Sequence, residues 1–468
     1  MTTNELTAEE LRPARARVAA PVRPVPVSAA PAVEPAEDRS AKIGRVVWGM
    51  ADQFMSSGTN FLTGLLTARA LGPVGFGQFS LVWATYSVLL TMSRGLATDP
   101  LTVRFSDGAA DGRALRDAIA RSTGLSVVVG LLAGAVAVAG GWAVGGGIGR
   151  AYLALGLLAP ALLLQDAWRY AALCAGKPRQ ALMNDTVWGI ALVPALILAI
   201  PRAGAAGFVM AWGGAAAVAA GFGFVQWRIR PDVARAREWL DAHRDLGTRY
   251  LVENTCVSLT GQVVAFGLGG FAGVAAVGAM RAAGQLMGPF TVLLLGISFV
   301  VVPEGTRLLR SSPHRFRVFC VGVGAVLCGG AVAVGVALMF LPDRFGRELL
   351  GATWAPASVL LLPTALVLAG AGLSTGAGCG LRALGAAKRA LWAQLWASGV
   401  TVVGGLVGAW ADGARGCCWG MAGACAVGAG LMWFQFGRAW QEHQALPVVP
   451  VRSVRAGPRR VLPAVFQL

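Results

Sequence analysis

The chain has 468 residues, of which 56% are hydrophobic and 13% charged. That is about half the charged share of a soluble domain, which excludes an ordinary soluble fold. A formal net charge of +17 would point to nucleic acid in a soluble protein. Here the basic residues are scattered between long apolar segments instead of forming one patch, so no nucleic-acid partner is expected.

Residues 1–45 contain the proline-rich run Pro21–Pro31 with charges of both signs around it. The run has no helical period, and it lacks the short basic start and apolar stretch of a secretory signal. A disordered cytoplasmic tail is expected there. Apolar segments long enough to cross a bilayer as helices, about 20 residues each, follow at 46–70, 74–98, 118–142, 150–173, 181–201 and 205–228. After a charged linker over 229–248, more follow at 249–272, 276–302, 318–341, 354–377, 388–410 and 416–437, and a second tail covers 438–468. The fold class expected is an all-α polytopic membrane protein of about 12 transmembrane helices. They fall into an N-terminal bundle over 46–228 and a C-terminal bundle over 249–437.

The second bundle echoes the first roughly 200 residues later. Asp52-Gln53 answers to Glu253-Asn254, Gly72 to Gly273 and Gly77 to Gly278; further on, Pro160 answers to Pro363 and Gly176 to Gly385. Tandem halves in a polytopic chain are a transporter architecture, with substrate handled between them. Arg and Lys gather in alternate loops, among them Arg113, Arg116, Lys177, Arg179, Arg235, Arg310 and Arg315. This bias makes that side cytoplasmic, with both termini and the linker. Val233, Trp239 and Leu240 set against several Arg predict a linker helix lying on the anionic leaflet.

No catalytic set is present, and an enzyme is not expected. His243, His314 and His443 all fall in loops or the tail, and no glycine loop ends in Gly-Lys-Ser/Thr, which argues against a self-contained ATP-driven pump. The eight cysteines show no paired C-x-x-C spacing, so neither metal nor cofactor is expected. What remains is charge in or beside the membrane, which is costly there and often functional. Asp52, Arg94 and Glu253 fall inside spans, and the two acids are candidates for binding H⁺ or Na⁺. Asp166 and Arg169, three apart, share a helix face and can pair. Arg69, Arg104, Arg307 and Asp185 read as interface residues that fix topology. Polar Gln53, Asn60, Gln78, Gln262 and Gln285 lie at depth. Cations and carboxylates lining a central cavity would suit an amphiphile with an anionic head group.

The run Gln53–Phe79, with Cys174–Ala181 and Gly380–Arg389, resembles the polysaccharide flippase family of the multidrug/oligosaccharidyl-lipid/polysaccharide exporter superfamily. The resemblance covers about residues 42–440. It implies two six-helix bundles around a central cavity, alternating access, and an undecaprenyl-diphosphate-linked glycan moved from the cytoplasmic to the outer leaflet of the bacterial inner membrane. It further implies Arg94, Arg69 and Arg281 on the anionic head, with Asn60, Gln53 and Gln285 beside it. Glycan polymerases and glycosyltransferases are the partners it brings. Two rival readings stay open: an H⁺- or Na⁺-coupled drug/cation antiporter of the same superfamily, and a non-transporting scaffold in a glycan-assembly complex.

Overall fold

The computed structural model describes residues 39–106, 111–200 and 204–445, with the side chains of a few helix positions, 252–257 among them, outside the description. The expected tails over 1–38 and 446–468 lie outside the described residues as well. The described residues from Arg45 onward form one compact unit, and every element in it is helical among the described residues. Eight of these helices are long and apolar enough to cross a membrane, and two, over Val47–Phe105 and Ala387–Ala445, run for 59 residues each. That is more than twice one crossing, and both fold back on themselves.

Glycine makes the folds. Helix α1 (Arg39–Ser93) bends at Gly72, with φ 65° and ψ −179°, a conformation that residues with a Cβ rarely adopt. Its repeat partner Gly273, at φ 84° and ψ 169°, ends α8 (Arg244–Ala272) before α9 (Val274–Leu286) turns back. The duplicated glycine is therefore a duplicated hairpin. The second duplicated glycine behaves likewise. Gly176 closes α4 (Gly146–Cys174) with Lys177 N–H donating to Ala172 O at 2.8 Å, and Gly385 closes α14 (Leu361–Ala383) with Ala386 N–H donating to Leu381 O at 2.9 Å. Both are the same left-handed helix cap.

The first half is completed by a π-turn (Arg94–Thr98), α2 (Asp99–Phe105), α3 (Gly112–Val144), α5 (Pro178–Ala199) and α6 (Ala205–Trp227). The second half takes α10 (Gly288–Ser311), α11 (Pro313–Met339), α12 (Asp343–Leu350), α13 (Trp354–Ser358), α14 and α15 (Ala387–Ala445), with α15 bent at Asp412-Gly413. Each half thus makes six passes. α3 packs on α4 and α4 on α6; in the second half α11 packs on α14 and α14 on α15. Lipid is as apolar as leucine, so close backbone approach and dispersion hold such bundles together. Large aromatics fill what glycine leaves open: Trp212 is fully buried, with Tyr86 and Trp83 each 4.8 Å away ring to ring. Proline places two further breaks. Pro289 sits just after the α9–α10 break at Met287, and Pro363 just after the α13–α14 break; Pro160 and Pro194 lie within unbroken α4 and α5.

Two polar segments depart from expectation. The stretch expected as a loop after Pro342 folds as α12, pinned by Trp354 Nε1–H donating to Asp343 Oδ1 at 2.8 Å. The linker does not present Trp239 to a leaflet. Its helix α7 (Ala236–Ala242) docks on α3, with Trp239 only 2% exposed and stacked 3.9 Å from His243. Asp232 anchors it, accepting from Arg235 Nε at 2.6 Å, while its own N–H donates to Ala120 O at 2.8 Å. The bonds that the Asp232 carboxyl accepts from the Arg235 side chain and the Arg235 backbone N–H hold it below the usual carboxylate range. A shape-matched pocket for one indole outcompetes the leaflet for it.

Candidate functional site

Two sites emerge, and the expected residues divide between them. The first is a cavity of about 630 Å³ between the two arms of α1 and the α9–α10 junction. It lies on the linker side of a seal. Around the two hairpin bends the backbones of the halves touch: a Cβ on Gly77 would fall on Val274 O, and one on Gly278 on Pro73 O. Thr353 Oγ1–H donates to Ala68 O at 2.8 Å across the same end. Further from the bends a cavity opens between the arms of α1 and the α9–α10 junction, while at the linker end the π-turn after α1 closes again on α8, where a Cβ on Gly95 would meet the Leu251 backbone.

Of the expected residues, Asn60, Arg281 and Gln285 line it. Gln285 follows Arg281 by one helical turn, and its Nε2–H donates to Phe61 O at 2.7 Å, joining the halves. Only glycine at 64 admits this side chain, because a Cβ there would collide with the Gln285 carboxamide. Arg281 is the one charged side chain among the described lining residues, and it forms no ion pair among the described residues. The aromatic wall of Phe61, Phe76, Phe79 and Trp83 was not anticipated. Its sequence signal was available: Phe76, Phe79 and Trp83 recur at helical three-and-four spacing on one face.

The second site is an ionic network inside the first half. Arg94 grips Asp166 with two bonds, Nη2–Oδ1 at 2.6 Å and Nε–Oδ2 at 2.9 Å, and its guanidinium lies 4.9 Å over the Tyr170 ring. Arg169 Nε donates to Asp52 Oδ2 at 2.9 Å and stands 3.5 Å from Asp185 Oδ2. Gln165 Nε2–H donates to Asp185 Oδ1 at 3.0 Å and to Asn184 Oδ1 at 3.2 Å. Three carboxylates therefore share two guanidiniums, and Asp52 Oδ1 is buried with no hydrogen-bond partner among the described residues.

These positions correct several expectations. Asp166 and Arg169 do not pair with each other; each reaches a different helix, because bidentate geometry is better served across helices than along one. Asp185 is not an interface residue but fully buried, drawn inward by Arg169 and Gln165. Among the described residues no carboxylate lines the cavity. Arg69 is exposed beside the hairpin bend, Gln53 is exposed and accepts from Arg169 Nη2 at 3.3 Å, and Glu253 lies in α8 with its side chain outside the described residues. Arg104 is exposed and binds Asp245 at 3.0 Å, and Arg307 is exposed, as topology-fixing residues should be.

No known family profile matches the sequence, and no curated relative does. Solved structures do. One described as the inward-facing conformation of a multidrug resistance MATE family transporter of the MOP superfamily matches with TM-score 0.71 at 13% identity, over 86% of this chain and 99% of that one. A lipid II flippase, MurJ, in an inward closed conformation matches with TM-score 0.66 at 12% identity, over 85% of this chain and 91% of that one. An outward-facing MATE transporter of the MOP superfamily matches with TM-score 0.53 at 12% identity, over 86% and 96%. The chain has the fold of MOP-superfamily transporters, a polytopic membrane fold of about twelve helices.

Proposed function

We propose that this protein is a flippase for a lipid-linked oligosaccharide or related polysaccharide precursor. It would capture the anionic head at the linker end and release it beyond the hairpin seal by alternating access. The observation that carries the reading is Arg281: a guanidinium with no carboxylate beside it among the described residues, in a cavity walled by aromatic rings. A half-buried cation with no counter-charge beside it among the described residues favours an arriving anion over a cationic drug. The Arg and Lys bias supports a cytoplasmic linker end and a position in the bacterial inner membrane, where glycan polymerases and glycosyltransferases would be its partners. The two six-helix halves would be the moving bodies. The test is flipping of a fluorescent lipid-linked oligosaccharide in proteoliposomes. Arg281→Gln should slow it at least about 10-fold, a loss of roughly 1.4 kcal/mol of binding to the anion. Unchanged flipping at equal reconstitution would remove Arg281 from the site.

A second reading, H⁺- or Na⁺-coupled exchange, is favoured by the surplus carboxylate around Arg169 and the unpartnered Asp52 Oδ1. A proton or a cation would balance that charge. Asp52 and Asp185 carry this proposal from the first half, and Glu253 remains its candidate in the second. Should Asp52→Asn with Asp185→Asn leave transport unaltered across pH and Na⁺ concentration, coupling through this network is wrong.

A further inference from the structure

The charge in the cavity restricts the head group further, on the premise that the cavity is the substrate site. We infer that the lipid carries its glycan on a single phosphate, as a phosphodiester with one negative charge, and not on the diphosphate that the family resemblance implies. The count is short. Arg281 is the one ionic side chain among the described lining residues. Arg94 has its Nε and Nη2 donors on Asp166, so recruiting it would strand a carboxylate that is only 8% exposed. Arg69 lies outside the cavity, exposed at the bend.

A phosphodiester matches this site charge for charge. One guanidinium offers two parallel N–H donors to two phosphate oxygens, and the neighbouring Gln285 and Asn60 amides can serve the remaining polar groups. A diphosphate diester would bring a second negative charge into the same space. There it would face Phe61, Phe76, Phe79 and Trp83 with no second cation among the described residues to meet it, and an uncompensated charge leaving water is strongly disfavoured. The aromatic faces instead suit the apolar C–H face of a sugar ring joined directly to the phosphate. A volume of about 630 Å³ lies within the usual range for one drug-sized ligand. It holds a short head, with the hydrocarbon tail left in the bilayer.

The experiment uses the full chain in proteoliposomes and three fluorescent polyprenyl lipids with the same tail and the same single sugar. In one the sugar is joined by a phosphodiester, in the second by a diphosphate diester, and in the third by an uncharged ether. Leaflet exchange is read by dithionite quenching, with a quaternary ammonium amphiphile as a fourth probe. The phosphodiester should flip at least about 10-fold faster than the diphosphate, a difference of roughly 1.4 kcal/mol. In Arg281→Gln its advantage over the ether lipid should vanish. A diphosphate flipped as fast or faster would overturn the single-charge inference and leave the anionic-lipid reading standing. If the ether lipid or the ammonium amphiphile moves fastest, or all four move alike, the anionic reading falls as well. The wild-type order decides the matter even where Arg281→Gln reconstitutes poorly.

Discussion

Adding one methyl group at the hairpin seal should unlatch it. Gly77 packs on the Val274 carbonyl and Gly278 on the Pro73 carbonyl, and a Cβ at either position would sit far inside ordinary van der Waals contact. The obstacle is backbone on both sides, so no rotamer change relieves it and the two helices must separate. Overpacking of this kind costs about 1–3 kcal/mol. The clash exists only while the seal is closed, so the cost falls on that state and shifts the sealed–open equilibrium by about 5–150-fold. Gly77→Ala with Gly278→Ala strains one shared contact, and the two costs should add incompletely. The assay is the rate at which an impermeant maleimide, applied from the hairpin side, modifies Ser80→Cys in an otherwise cysteine-free chain. Ser80 lines the cavity behind the seal, so each alanine should raise the rate. Gly270→Ala is the control, since a Cβ there meets nothing within 4 Å. An unchanged rate in the double variant, or an equal rise in the control, would refute the idea that these glycines form the seal.

Two further expectations rest on charge. Arg94→Ala leaves Asp166 buried and unpaired, and breaking such a pair costs about 3–5 kcal/mol. The melting temperature should fall in detergent, and the swap Arg94→Asp with Asp166→Arg should restore it better than Arg94→Asp with Asp52→Arg. Normal stability in Arg94→Ala with flipping lost would instead make Arg94 a substrate ligand. His243 is buried against Trp239, and desolvation holds its pKa below the usual histidine value, with Arg104 and Arg121 opposing its charge and Asp245 and the Trp239 carbonyl favouring it. The docked linker thus prefers the neutral ring, and its stability is present above the unperturbed value near ~6.5 and is lost as pH falls below it. Protection from hydrogen exchange over 232–246, taken relative to the intrinsic rate at each pH, should fall between about pH 7 and pH 5, and His243→Phe should flatten that response; pH-independent protection in the parent chain would exclude it.

The parts of the fold that were legible in sequence are those written in single residues with strict conformational demands. Gly72 and Gly273 could be matched by offset alone, and each proved to hold a positive φ that only glycine adopts at no cost. Gly176 and Gly385 were legible for the same reason. The partners within the ionic network were not. Arg94 and Asp166 lie 72 positions apart, and sequence spacing orders contacts along one helix but not between helices. Helix α12 escaped notice because it is short and polar, and the linker helix was expected but on the leaflet, since nothing in its sequence shows that Trp239 packs against α3. The cavity was half legible: Gln285 and Asn60 stood out as polar residues at depth and Arg281 came from the family resemblance, whereas the aromatic wall shows as a wall only once the helices are paired.

The backbone repeats and the chemistry does not. The hairpin glycines, the left-handed caps and the reciprocal contacts of Gly77 and Gly278 give both halves the same frame, which a symmetric rocking motion needs. The described charged residues are divided unequally within it. The ionic network lies wholly in the first half, and the cavity's single cation comes from α9 of the second. This division has a mechanical consequence. The network and most of the cavity wall belong to the first half and the cavity's cation to the second, and the two meet where Gln285 of the second half reaches the Phe61 carbonyl of the first. A head group drawn to Arg281 would compete for that same amide one turn away. The hydrogen bond that joins the halves beside the cavity is therefore also the one an arriving anion is best placed to break.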